Sequence, residues 1–137
     1  MQNPKEKTRI AAIIIKDNKI LLVKGADKYK EYWTPGGTLE EGETELECLK
    51  RELKEELNIK LVSSTFFKEY KAKSPYHADT ITISRIYIAK VSGEPKAGRE
   101  IKDYVWMSKD DFNNNKYPLL SLTKDKVIPD LIKGGIF

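Results

Sequence analysis

Residues 37–59 read GTLEEGETELECLKRELKEELNI, and the reading of this stretch decides the fold. Leu46, Leu49, Leu53 and Leu57 recur at spacings of three and four and form an apolar stripe at helical period. Thr44 followed by Glu47 is a capping box, which starts the helix near Glu45 and lets it run to about Leu57. At about 100° per residue, Glu52, Glu55 and Glu56 fall within about a quarter to a third of the circumference, at the edge of the buried face. Negative charges held that close repel one another unless a hard cation neutralises them, and all-oxygen ligation suits Mg2+ or Mn2+ better than zinc. A plain solvated helix explains the pattern poorly. Arg51 and Glu55 make a favourable i,i+4 pair, but Glu52 and Glu56 make a like-charge pair that costs stability unless something binds there.

Composition bounds the rest. The 137 residues, 39% hydrophobic and 34% charged, suit one compact domain over residues 1–137 with a real core and no linker, repeat or low-complexity run to divide it. No stretch has the length of a membrane span and the first residues carry no apolar signal core, so no membrane partner and a cytosolic location are expected. Cys48 is the single cysteine; it excludes an intramolecular disulfide and is read as packing on the helix. The net charge of +4 fits a protein that handles anions, but neither a nucleic-acid-binding signature nor interleaved aromatics accompanies it, which makes nucleic acid an unlikely partner. Oligomeric state is open, a homodimer included.

Outward from the helix, the runs 9–16 and 19–24 are β-rich and separated by Asp17-Asn18, a hairpin. Residues 25–37 read as loop. Residues 59 to about 70 and 80–91 read as strands, with a slip in alternation near Arg85, and Gly93-Glu94-Pro95 makes a turn. Residues 104–107 form a short strand, Ser108 caps a helical turn through Phe112, and residues 121–133 close the chain as a helix in which Pro129 demands a kink or a late start. This order predicts an α+β fold, a mixed sheet with helices packed on its faces.

Gly37, five residues, Glu43, seven residues and then residues 51–59 resemble the Nudix box, G-x5-E-x7-R-E-U-x-E-E-x-G-U, where U is bulky and aliphatic. The lead-in Pro35-Gly36-Gly37 resembles that family too. One defined position departs: Asn58 stands where the family has glycine, and Asn is the mildest replacement where a left-handed backbone is needed. The resemblance implies an α/β/α sandwich and a hydrolase of a nucleoside diphosphate linked to another group, with the MutT-like members taking nucleoside triphosphates to monophosphate and pyrophosphate. It assigns metal ligation by Mg2+ or Mn2+ to Glu52, Glu55, Glu56 and the carbonyl of Gly37, counts Arg51 and Glu52 in the catalytic set, and makes Glu43 the partner that orients Arg51.

Two readings remain for the general base: Glu52, directly or through a coordinated water, and a carboxylate on the loop Gly98-Arg99-Glu100, where Glu100 is the first choice and Asp103 the reserve. For phosphate binding the candidates are Arg9 and Lys24, each equally readable as a plain strand-edge residue. Tyr76 is the candidate to contact substrate, and Tyr32 and Trp33 either stack on a base or complete a core. His77 has no metal-binding partners and no assigned role. Pro75 points by resemblance toward ADP-ribose and Tyr76 toward diadenosine polyphosphates, while the Thr34-Pro35-Gly36-Gly37 run favours nucleoside triphosphates. A reading of another class is a catalytically silent module that binds nucleotide or RNA; its usual mark is loss of the box carboxylates, which are intact here.

Overall fold

The apolar runs 10–15 and 20–23 are continuous rather than alternating, the pattern of strands covered on both faces. In the computed structural model, which describes residues 3–26 and 29–137, they belong to β1 (Lys5–Ile13), β2 (Ile15–Lys16) and β3 (Lys19–Lys24). β1 starts at Lys5 rather than Arg9, so Arg9 lies inside a strand and not at its opening. Asp17 and Asn18 both take positive φ, 52° and 60°, the backbone of a tight two-residue hairpin between β2 and β3.

The remaining elements are β4 (Gly36–Thr38), α1 (Glu45–Leu57), β5 (Lys60–Lys73), β6 (Thr80–Ser92), β7 (Asp103–Ser108), α2 (Lys109–Asn113) and α3 (Ile128–Lys133). One sheet is mixed, in the order β4-β1-β6-β5, with β1 and β6 parallel; the other is antiparallel, in the order β2-β3-β7. The segment expected as loop between Gly25 and Gly37 thus contributes β4, and bridges join Val23 to Trp33 and Tyr32 to Leu119. A Gly-Gly-Thr strand carries no alternation for a sequence reading to detect. The slip expected near Arg85 lies on the opposite strand: β5 is irregular between Phe66 and Lys68, whose partners Tyr87 and Ile86 are consecutive.

Two apolar clusters flank the strands. Ile10, Ala12, Ile14, Leu21 and Val23 point to one side and pack with Leu49, Leu53 and Leu57 of α1. Ala11, Ile13, Ile20 and Leu22 point to the other and pack with Val127, Ile128 and Leu131 at the C-terminal helix. Helices therefore cover both faces of the strand layer. The closing helix contains a π-helical turn, Thr123–Val127, in which the N–H of Ile128 donates to the carbonyl of Thr123. Pro129, which has no N–H to give, follows directly, and the looser turn is the form its interruption takes. Among the described residues no helix is long and apolar enough to cross a membrane.

α1 has the expected bounds, and Thr44 and Glu47 form the capping box, Thr44 Oγ1 accepting from the Glu47 N–H and Glu47 from the Thr44 N–H. Its buried face is rotated from the expected stripe. Leu46 is exposed, while Cys48 is fully buried, because the first turn docks through Glu45, whose carboxylate accepts from Arg85 Nε at 2.7 Å and from the Tyr87 hydroxyl at 2.5 Å. That rotation brings Glu52 and Glu56 into the packed face instead of beside it. Beyond the helix Asn58 sits at φ 52°, ψ 37°, and its N–H returns to Leu53 and Lys54 carbonyls. For L residues with a Cβ this region costs about 1–2 kcal/mol, least for Asn. We expect Asn58→Gly to raise the melting temperature slightly or leave it unchanged and Asn58→Val to lower it by several degrees; calorimetry showing equal melting for all three proteins would remove the left-handed cap as the reason for Asn here.

Candidate active site

The box helix presents Arg51 at the centre of a carboxylate ring. Glu43, in the loop before α1, accepts from Arg51 Nε at 2.8 Å and from Nη2 at 3.0 Å, a two-oxygen clamp on one guanidinium. Arg51 Nη1 in turn donates to Glu52 at 2.7 Å and to Glu55 at 3.3 Å. Hydrogen bonding to Arg51 holds the Glu43 carboxyl down at about 2, and the same bonds push the Arg51 guanidinium above its usual range. The cation is thus secured by one carboxylate and shared between two others.

Glu56 takes a separate route. Its Oε1 accepts from the N–H of Gly36 at 2.9 Å, and burial pushes its carboxyl up to about 7 against the pull of Arg9 and of that N–H. Glycine is required at Gly36, and at Gly37 it leaves room for the Glu52 carboxylate. At Gly36, φ is 152° and a Cβ would meet the Ile10 carbonyl oxygen at 2.1 Å; at Gly37 a Cβ would meet the Glu52 carboxyl carbon at 2.2 Å. Two carboxylates from the α1 side therefore reach the edge of the mixed sheet where β4 has no side chains to block them.

Arg9 approaches the same edge from β1. Its Nη2 donates to the Thr34 carbonyl at 2.5 Å and Nη1 to Thr34 Oγ1 at 3.5 Å. Burial works against its charge, and the nearby Glu56 and Glu52 carboxylates support it. In strand register Arg9 pairs with Thr38 on one side and Ser84 on the other, and Ser84 pairs with Tyr70, so Arg9, Ser84 and Tyr70 form one row on one face of the sheet. That face floors a cleft of about 710 Å³, closed along its far wall by the segment 120–127 and at its mouth by Tyr29, Trp33 and Tyr76.

The structure brings together only part of the expected set. Glu56 meets Gly36 and Glu52 lies against Gly37 at the β4 edge, with Arg9 beside them, and Arg51 joins Glu52 to Glu55. Lys24 does not line the cleft; its Nζ lies 5.9 Å from the Tyr32 ring centroid, beside Asp103, which accepts from the Tyr32 hydroxyl at 2.9 Å. Asp103 is itself exposed and is tied to Tyr32, which is buried. Trp33 and Tyr76 do line the cleft, as do Pro75 and His77; Tyr76 donates to Glu31 at 2.8 Å and packs on Tyr29 with ring centroids 4.7 Å apart. Glu100 is exposed in the turn after Arg99, and among the described residues its side chain makes no hydrogen bond or ion pair. The loop residue that reaches the helix is Arg99, whose Nη1 donates to Glu55. The loop is held there by its backbone: Gly98 N–H donates to the Glu56 carbonyl and Lys96 N–H to that of Leu57. Ser84 and Thr123 drew no attention in the sequence, and Arg99 and Thr34 entered only as members of the segments 98–100 and 34–37, because nothing in their spacing announces a non-local contact.

The donors at this edge suit a hard divalent cation, being carboxylate and carbonyl oxygens alone. Among the described residues no three such groups already converge on one point, since Arg51 draws Glu52 and Glu55 aside and Gly36 holds Glu56. Burial disfavours the charged form of the Glu56 carboxyl, and the neighbouring Glu52 and Glu55 act in the same direction. Cys48, by contrast, is a buried thiol pushed up to about 12 and inert, as its expected packing role requires.

Comparison with known proteins places this geometry. The NUDIX domain matches residues 6–131. The chain is 33% identical to the ADP-ribose pyrophosphatase of Methanocaldococcus jannaschii over 90% of its own length and 72% of that protein. It is 32% identical to the 8-oxo-dGTP diphosphatase of Buchnera aphidicola, over 80% of this chain and 82% of the relative. A Nudix hydrolase structure from Nitrosomonas europaea shares the fold with a TM-score of 0.80 at 21% identity, covering 95% of this chain and 90% of that one. The mixed sheet flanked by helices is the fold of these hydrolases, and the chain belongs to the Nudix hydrolase family.

Proposed function

We propose that the protein is a metal-dependent pyrophosphohydrolase of the cytosol that takes nucleoside triphosphates to monophosphate and pyrophosphate. The observation that carries this reading is the position of Arg9, at the inner end of the cleft and within the field of Glu52 and Glu56. A nucleoside seated in the cleft directs its phosphates across Arg9 toward the carboxylates. Glu52, Glu55, Glu56 and the Gly37 carbonyl would hold Mg2+ or Mn2+, which would supply charge withdrawal from phosphorus and a more acidic water. Arg51 sets the positions of Glu52 and Glu55, and Glu43 sets the position of Arg51. The base is Glu52 or, from the loop beside Arg99, Glu100. Intact box carboxylates weigh against a silent binding module.

ADP-ribose is the second reading, favoured by the name of the 33% identical relative and by Pro75 in the cleft wall. Incubation with Mg2+ and a panel of canonical and oxidised nucleoside triphosphates, ADP-ribose and diadenosine polyphosphates, with products identified by mass, decides between them. We expect monophosphate and pyrophosphate from at least one triphosphate; preferred cleavage of ADP-ribose, or of the dinucleotides through Tyr76, reassigns the substrate, and nucleotide binding without cleavage promotes the silent module. Glu52→Gln should lower turnover at least about a hundredfold with the fold intact, and near-normal Mg2+-dependent turnover in that variant would sink the site assignment.

The glycine pair supplies a separate test. In Gly37→Ala the new methyl displaces the end of a flexible Glu52 side chain, so melting should stay within a few degrees of wild type while turnover falls about tenfold or more. In Gly36→Ala the clash is with strand backbone, and about 1–3 kcal/mol of stability should be lost, as for other overpacked sites. A Gly37→Ala protein that is fully active contradicts the placement of Glu52 against β4.

A further inference from the structure

Only three polar residues are buried among the described residues, Thr34, Ser84 and Thr123, and all three line the cleft. Thr34 is engaged by Arg9. Ser84 and Thr123, 3% and 4% exposed, make no side-chain hydrogen bond to any described residue, yet no fully buried side-chain polar atom there lacks a partner. Their hydroxyls therefore reach the open volume of the cleft. A hydroxyl that opens only into the cleft finds its further hydrogen-bond partners there, in water or in a bound ligand.

The surroundings narrow what that ligand is. Ser84 stands one strand from Arg9 and one from Tyr70, so it lies about 5 Å along the row that leads from the carboxylates into the cleft. Tyr70 offers no free donor, since its hydroxyl donates to Asp130 at 2.7 Å. Ile86 and Val127 beside the two hydroxyls are buried and apolar. A sugar, whose many hydroxyls each need a partner, is poorly served by such a floor. A planar heterocycle is well served: its faces meet apolar and aromatic side chains while its polar edge meets two hydroxyls.

We propose that Ser84 and Thr123 are the base-contacting residues of the nucleotide site, and that they make it tolerant of base identity. This rests on the reading of the cleft as the nucleoside-binding part of the hydrolase. Each hydroxyl both donates and accepts and rotates to suit its partner, so a keto and an amino group at the same place on the base are met equally well. Strong discrimination requires a fixed donor or acceptor, and no amide or carboxylate is present among the buried polar residues of the described chain; the carboxylate in the cleft lining, Asp125, is exposed on the π-helical turn. The site thus selects for a base as such, over a sugar in that position, and ranks the bases weakly.

The test is a titration of the metal-free protein with dAMP, dGMP, dCMP, dTMP and ribose 5-phosphate, followed by the fluorescence of Trp33 in the cleft wall against the constant background of Trp106. Expected are dissociation constants within about tenfold of one another for the four nucleotides and at least about tenfold weaker binding of ribose 5-phosphate. Ser84→Ala combined with Thr123→Val should weaken all four nucleotides about tenfold or more without changing ribose 5-phosphate, and Ser84→Thr with Thr123→Ser, which keeps both hydroxyls, should retain wild-type binding. Unchanged nucleotide binding in the first variant, a gap of about a hundredfold or more between keto- and amino-edged bases, or ribose 5-phosphate bound as tightly as the nucleotides would each overturn the proposal. If the first variant melts early, Ser84→Ala alone decides, since it removes one oxygen with no protein partner and must weaken nucleotide binding severalfold. The titration needs neither metal nor turnover, so a protein that shows this pattern and cleaves no triphosphate loses the hydrolase substrate and keeps the base contacts.

Discussion

Mutual repulsion among Glu52, Glu55 and Glu56 is the constraint around which the structure is arranged. Arginines meet these carboxylates from three separate parts of the chain: Arg51 from the same helix, Arg99 from the loop after β6, and Arg9 from the central strand of the mixed sheet. Each arrives by a different structural route. Arg51 is aimed by the two oxygens of Glu43, Arg99 by backbone hydrogen bonds that fasten its loop to the last turn of α1, and Arg9 by the carbonyl and hydroxyl of Thr34. The helix end, the loop and the sheet edge are consequently locked together by one patch of charge, partly buried and so only weakly screened.

That patch would be confined to one face of the sheet were it not for β4. α1 packs on the side of Ile10 and Ala12, whereas the cleft opens on the side of Arg9, Ala11 and Ser84. A sheet edge lined with side chains would separate carboxylates from cleft. Gly36 and Gly37 remove that barrier, one by letting its N–H meet Glu56 and the other by leaving room for Glu52. The carboxylates on one face and the cleft on the other become continuous through two missing Cβ atoms.

What the sequence discloses follows the range of the interactions. The box helix, its capping box, the Asp17-Asn18 hairpin and the left-handed Asn58 are local, and each is legible within a few residues of itself. The clamp of Glu43 on Arg51 is nearly so, spanning the start of the helix. Leu46 fails because helical period fixes the relative angles of residues but not which arc faces the sheet; Glu45, held by Arg85 and Tyr87 of β6, sets that. β4 escapes notice because three residues show no period. Arg9 looks like a strand opening until β1 is extended back to Lys5, and nothing short of the parallel pairing of β1 with β6 reveals that it shares a row with Ser84 and Tyr70.

The cleft is therefore assembled from parts that have no common motif: β1, the segment around Trp33, β5, β6 and the π-helical turn. The carboxylate edge, in contrast, is written almost wholly in residues 36–56. This separation has a physical consequence for how such a chain can vary. A substitution in the box helix disturbs several charges at once, because every carboxylate shares an arginine with another or with the strand edge. A substitution at Ser84 or Thr123 changes a hydroxyl that makes no side-chain hydrogen bond to another described residue and leaves the charge patch untouched. Two relatives at 33% and 32% identity carry different substrate names, which accords with a cleft whose lining is scattered along the chain and free of the constraint that holds the carboxylate edge.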